Sequence, residues 1–217
     1  MFLHVCSANA ETLFDNLGPD DTFALEGPGG ALGIGVGGEK DFKSGFRFTP
    51  AADYLLDSVT APIVQFPPGG PNPITIELYE SGADGLPGEL LDSSQSLQVP
   101  LILAPSASVF EFAGDTVMKA GVDYFIAARA DDTQAIPAAW NFNSTEHLGT
   151  NITFSNARSD GTMGWRESEI DLLLAARIEG TLVPEPSSAS LLALALPAFA
   201  RLGRRKRYLE ASSHADA

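Results

Sequence analysis

Apolar and polar residues alternate along most of this chain. In Ile74-Thr-Ile-Glu-Leu-Tyr79, the apolar Ile74, Ile76 and Leu78 are interleaved with Thr75, Glu77 and Tyr79. A period of two sends one set of side chains to a buried face and the other to the opposite face of a β-strand. Gly45-Phe-Arg-Phe-Thr-Pro50 alternates in the same way, and Tyr54 to Ala61 continues in that style. Further strands are predicted at Glu11–Asn16, Leu97–Leu103, Val109–Phe112, Asp115–Lys119, Gly121–Arg129, Pro137–Asn143 and Asn151–Phe154. Gly121 predicts a bend between two of these. Pro67–Pro73 reads as a loop and Ser81–Gly88 as a turn cluster, since their prolines and glycines cannot sustain a ladder.

Two stretches resist the pattern. Gly27–Gly38 is glycine-rich but completes no phosphate-binding spacing in a strand-turn-helix context. It predicts a loop, or a strand with closely approaching neighbours. Ile170-Asp-Leu-Leu-Leu-Ala-Ala-Arg-Ile-Glu179 is rich in helix-forming leucine and alanine. A closing strand is nevertheless preferred there, because a lone helix would have no second layer to pack against. Short strands at close spacing, with turn residues between them, predict an all-β sandwich of jelly-roll type over residues 11–182. No αβ alternation and no internal repeat is present.

The pattern changes at Val183. Val-Pro-Glu-Pro-Ser-Ser is followed by an apolar run from Ala189 to Ala200, then by Arg201-Leu-Gly-Arg-Arg-Lys-Arg207. Pro184 and Pro186 withhold amides and fix φ, so no strand continues through them. The leucines and alanines that follow predict a short hydrophobic helix. The cluster Arg201, Arg204, Arg205, Lys206 and Arg207 stops it and prefers an anionic, cytoplasmic membrane face. Residues 208–217 read as a disordered tail.

Charge sharpens this division. The 217 residues hold 28 acidic and 13 basic side chains, a formal net charge of −15. Residues 1–183 carry 25 acidic against 8 basic side chains, a difference of −17. Such a body repels nucleic acid and anionic lipid, so nucleic-acid binding is not expected. The single cysteine, Cys6, excludes an internal disulfide and a thiolate metal cluster.

Taken together, Pro184-Glu185-Pro186, the small serines, the apolar segment and the Arg-rich end resemble the PEP-CTERM sorting signal of exported bacterial proteins. That resemblance implies an exosortase-type membrane enzyme as partner, which cuts near the motif and releases or re-anchors the protein at the cell surface. The apolar run spans about twelve residues, against the ~20 of a spanning helix, and Pro197 interrupts it. It therefore reads as an address with transient inner-membrane anchoring. The body resembles the choice-of-anchor domains that precede such signals, type R in particular. The residues that carry this are Glu11–Asn16, Gly45–Pro50, Ile76–Tyr79 with Gly85–Gly88, and Ala139-Trp-Asn-Phe-Asn143. That resemblance implies no activity.

At the N-terminus, Ala8-Asn9-Ala10 fits the small-x-small rule for signal-peptidase cleavage, with Ala8 and Ala10 at the small positions. What precedes it is short and lacks a basic start. Residues 1–10 are thus expected to be the remnant of a signal peptide that begins upstream. Leu3–Cys6 is a poor lipoprotein box.

Candidate chemistry in the body is thin. Of the three histidines, only His147 lies within it, and no Gly-x-Ser-x-Gly elbow accompanies it. No enzymatic activity and no cofactor are expected. Calcium is the one ion admitted, through Asp20–Asp21 or Asp131–Asp132, although adjacent carboxylates point apart and a solvated acidic surface is the preferred reading. Trp140 and Trp165, with Phe142, Tyr79 and Tyr124, offer a platform for stacking on sugar rings. The period-2 placement of Trp140 and Phe142 favours core over platform. Asn143-Ser-Thr145 and Asn151-Ile-Thr153 match the N-glycosylation pattern, read as accidental.

The expected function is a non-enzymatic exported protein of the cell envelope or extracellular matrix, associated with exopolysaccharide. The alternative is a lectin-like, carbohydrate-binding sandwich, with or without calcium.

Overall fold

In a computed structural model the chain is described at residues 10–25, 29–34, 41–66, 73–96, 99–101, 105–130, 138–155 and 163–184. The chain divides after Leu182, and the fold described below belongs to the first unit.

The alternating runs form strands. In chain order they are β1 (Ala10–Asp15), β2 (Gly30–Ile34), β3 (Asp41–Phe48), β4 (Tyr54–Ala61), β5 (Ile63–Gln65), β6 (Ile74–Ser81) and β7 (Pro87–Ser96). They continue with β8 (Ser108–Glu111), β9 (Val117–Met118), β10 (Tyr124–Ala130), β11 (Ala138–Trp140), β12 (Asn151–Ser155), β13 (Gly164–Glu167) and β14 (Arg177–Leu182). One 3-10 turn, Pro19–Asp21, is the helical element among the described residues. No helix there is long and apolar enough to cross a membrane.

The strands make two antiparallel sheets. The first has the order β1-β14-β4-β8, with β9 also on β4. The second runs β5-β11-β2-β3-β10-β6-β7, and the β12–β13 hairpin joins it through β3. Register lines up the apolar positions. Ile178 pairs with Val59 and Val59 with Phe110 in the first sheet, while Phe46, Ile126 and Leu78 lie side by side in the second. These two rows belong to one buried cluster, which also contains Leu56, Ile76 and Trp140. The fold is therefore nearly all β and sandwich-like, with the core between the sheets. On the outer face of the second sheet a smaller cluster gathers Tyr79, Phe125, Ala127 and Ile152, with Trp165 packed on it.

Four strands lie where the alternation is weak or short. β7 is an edge strand of mostly exposed or half-buried residues, so it has no apolar face to read. β5 and β13 span three and four residues. β2 emerges from the glycine-rich stretch as a strand with close neighbours. A Cβ at Gly30 would lie 2.6 Å from Ser44 Cβ, closer than real side chains approach. Gly121 turns the chain ahead of β10 at φ +71°. Of the run Leu97–Leu103, only residues 99–101 are described, and they hold one bridge, Leu101 to Gln65.

The ambiguous stretch Ile170–Glu179 is extended. Its second part enters β14, while Leu172 and Leu174 make isolated bridges to Leu148 and Phe142. Distant side chains hold it there. Asn16 Nδ2 donates to the Leu174 carbonyl (3.0 Å), and its Oδ1 accepts from the Ala176 amide (2.7 Å). Asn143 Nδ2 donates to the Leu173 carbonyl (2.7 Å). Asn151 Nδ2 donates to the carbonyls of Ile170 (2.8 Å) and Leu172 (2.7 Å), and its Oδ1 accepts from the Leu174 amide (3.1 Å). Trp140 Nε1 donates to the Ala175 carbonyl (2.7 Å). Asn16, Asn143 and Asn151 are all buried. They complete the pairing of a segment that backbone bonds hold only in part, such as Asn143 N–H to the Leu173 carbonyl (3.0 Å) and Ala175 N–H to the Asn141 carbonyl (2.9 Å), as burial requires.

Candidate functional site

The residues singled out by sequence are scattered. Pro184 is exposed, two residues beyond the end of β14. Glu185, Pro186, the basic cluster from Arg201 to Arg207, Ala8 and Asp131–Asp132 lie outside the described residues. Ala10 opens β1. His147 stacks near Phe14, with centroids 5.7 Å apart. Asp20 and Asp21 both adopt left-handed backbone, φ 56° and 57°. The Asp21 carboxylate accepts from Arg177 at 2.7 Å. Arg177 also reaches Asp15 at 2.9 Å. The Asp15 hydrogen bond raises the Arg177 pKa; partial burial opposes this and the Asp21 hydrogen bond adds to it. Among the described residues, no three His, Cys, Asp or Glu side chains cluster as metal ligands do.

The two tryptophans are not brought together. Trp140 is wholly buried between the sheets, edge-on to Phe46 with centroids 5.7 Å apart, so it presents no face to a ligand. Trp165 lies on the outer face of the second sheet instead. The glycosylation matches fall on buried amides. Asn143 and Asn151 are 2% and 4% exposed, with both amides committed to backbone.

On that outer face an unexpected constellation appears. The alternating polar positions of β3, β6 and β10 place Lys43, Glu77, Tyr79 and Arg129 on one side. Lys43 Nζ lies 2.9 Å from Glu77 Oε2 and 3.2 Å from the Tyr79 hydroxyl, which itself donates to Glu77 at 2.7 Å. Arg129 Nε donates to the other Glu77 oxygen at 2.8 Å. Three rings surround the ammonium: Phe154 at 5.5 Å, Tyr79 at 5.9 Å and Trp165 at 6.0 Å. That is the geometry of a cation–π cage, here filled by the chain's own lysine. Trp165 meets Tyr79 edge-on (5.4 Å) and Phe154 obliquely (5.2 Å). The cage therefore clasps the β12–β13 hairpin to the sheet. Sequence shows the alternation that puts Glu77 and Tyr79 on one face of a strand; the strand pairing brings Lys43 to them. Nor does the alternation show that β13 brings Trp165 over them.

Glu77 anchors this arrangement, with a side chain 5% exposed. Its loss strands one enclosed ammonium, whereas Arg129, at 40% exposed, regains water. Glu77→Gln is accordingly expected to lower stability by about 2–4 kcal/mol, below or at the cost of breaking a fully buried pair. Urea unfolding of the variant and of Glu80→Gln, an exposed control on the same strand, measures it.

The opposite, inner face of the same hairpin floors a cleft of about 350 Å³. Register places Ser44, Thr153 and Arg166 side by side across β3, β12 and β13. Phe42 and Phe142 contribute aromatic surface, and Ile170 and Leu174 form a wall. That wall belongs to the segment held by Asn151.

The fold and these sites define a two-sheet, antiparallel β protein with a caged lysine on one face of the β12–β13 hairpin and a cleft on the other. No protein-family model matches the chain, and no curated protein matches it.

Proposed function

We propose that this chain is a non-enzymatic exported bacterial protein of the cell surface or extracellular matrix, delivered by its C-terminal segment. In this reading residues 183–207 are a sorting signal of PEP-CTERM type, read by an exosortase-type membrane enzyme. The apolar run Ala189–Ala200 forms a short helix that holds the protein in the inner membrane transiently. The sandwich is of jelly-roll, choice-of-anchor type and associates with exopolysaccharide.

The observation that carries the proposal is the order of three chemistries in the tail: Pro184-Glu185-Pro186, then an uncharged apolar run, then Arg201–Arg207. Support comes from where it begins. β14 ends at Leu182 and Pro184 is exposed, so the motif starts where the last ladder stops, at a proline that a processing enzyme can reach. The prolines also prevent β14 from extending into the motif.

Replacing Pro184-Glu185-Pro186 with three alanines is expected to leave the protein unprocessed in the inner membrane. Cell fractionation and the mass of the mature protein test this in a host that carries the exosortase. Normal surface arrival of the triple variant would overturn the sorting reading.

A further inference from the structure

We propose that the cleft floored by the β12–β13 hairpin binds a small carboxylate with a ring-shaped body, and that Arg166 receives its carboxylate. Three observations converge on this. The first is size. A cleft of about 350 Å³ falls within the ~300–1,000 Å³ of small-molecule sites, at the end suited to a single ring.

The second is an uncompensated charge. Lys43, Arg47, Lys119, Arg129 and Arg177 each pair with a carboxylate. Arg166 makes no ion pair among the described residues, although Glu167, Glu169 and Asp171 are near in sequence. Arg166 is exposed at the rim of the cleft, so water solvates it in the free protein and its guanidinium is open to an incoming carboxylate in a chain whose 28 acidic side chains leave it unpaired among the described residues. Its planar fork matches a carboxylate in bidentate fashion. The third is the chemistry of the walls. Phe42, Phe142, Ile170 and Leu174 offer aromatic and aliphatic surface, while Ser44 supplies a hydroxyl whose own proton is given to the Ala31 carbonyl at 2.8 Å. A ring with one acidic group fits such a lining better than a bare anion or a pure hydrocarbon.

The cage on the far side of the hairpin contributes to the site. Trp165 and Arg166 are neighbours on β13 and point to opposite faces. Trp165, clasped by Tyr79, Phe154 and Lys43, fixes the strand that presents Arg166. It is a positioning residue rather than a sugar platform. The proposal does not depend on the sorting tail.

Both a sugar acid and an aryl acid carry the required chemistry, so both serve as probes. The full-length protein is titrated by calorimetry at ~0.15 M salt, where fields of distant carboxylates beyond ~8 Å are screened. The probes are galacturonate and benzoate, each beside its neutral counterpart, methyl galactoside and benzamide. Saturable binding of one acid, roughly tenfold tighter than its counterpart, is expected, since a charge-assisted contact is worth about that factor. Which acid binds distinguishes the sugar source from the aryl source. Arg166→Gln is expected to remove the advantage of the acid, and Ile170→Glu, which adds a carboxylate to the exposed wall, to weaken the acid more than the neutral compound. Arg47→Gln, outside the cleft, leaves both unchanged. Circular dichroism confirms that each variant is folded. Equal binding of acid and neutral compound, no saturation by either acid below ~10 mM, or an unaffected Arg166→Gln variant would overturn the proposal.

Discussion

Trp140→Ala is expected to lower the free energy of unfolding by about 3–5 kcal/mol, the range for truncating a large aromatic side chain in a core. Trp140 has no exposed surface, packs edge-on to Phe46 at 5.7 Å, and donates its indole N–H to the Ala175 carbonyl at 2.7 Å. Alanine would open a cavity between the sheets and leave the Ala175 carbonyl without that donor. Trp140→Phe keeps a six-membered ring but loses the indole N–H and the rest of the indole, so a smaller cost of about 1–3 kcal/mol is expected from the unmet carbonyl and the smaller cavity. Denaturant titrations of the two variants rank the two losses. A Trp140→Ala protein as stable as the parent would mean that the indole is not in the core, and would reopen its reading as a binding platform.

The second large effect is placed at Asn151. Its side chain serves three backbone groups: the carbonyls of Ile170 and Leu172 and the amide of Leu174. Asn151→Ala removes all three partners at once. Each buried polar group left unmet costs about 1–3 kcal/mol, so a total of about 3–5 kcal/mol is expected after partial relaxation toward water. The damage should be local as well as global. Hydrogen exchange at the Leu174 amide is expected to accelerate more than at Ile126, in the middle of the second sheet. Uniform acceleration at both would show that Asn151 acts only through overall stability. Because Ile170 and Leu174 wall the cleft, this variant should also weaken any ring-bearing acid held there.

Much of the fold was legible along the chain, for a local reason. A strand declares itself when one face is buried and the other is not, because side chains then alternate. β4 and β6 follow the alternating runs Tyr54–Ala61 and Ile74–Tyr79; in β6 the polar set Thr75, Glu77 and Tyr79 is buried too, so there the alternation separates the apolar core face from a polar, hydrogen-bonded face rather than from water. β7 did not declare itself, because an edge strand with little buried surface has no alternation to display. Asn143 and Asn151 match the glycosylation pattern, read as accidental, because the motif records three residues and nothing of burial. Trp165 read as part of a surface with Trp140 because aromatic residues look alike in sequence. Their faces depend on which strand each pairs with.

By itself, then, the amino-acid sequence determined the all-β character, the strongly acidic body and the ordered chemistry of the tail. Each follows from composition or from contacts within a few residues. Tertiary structure decided the conformation of Ile170–Ala176, whose leucines and alanines suit a helix as well as a strand. Hydrogen bonds from Asn16, 158 residues away along the chain, and from Asn143, Asn151 and Trp140 settle it as extended, because buried backbone groups must find partners wherever the fold supplies them. The same long-range pairing put Lys43 inside three rings and Arg166 beside a cleft. Neither arrangement is written in local spacing, because β3, β6, β12 and β13 meet only after the sheet has formed.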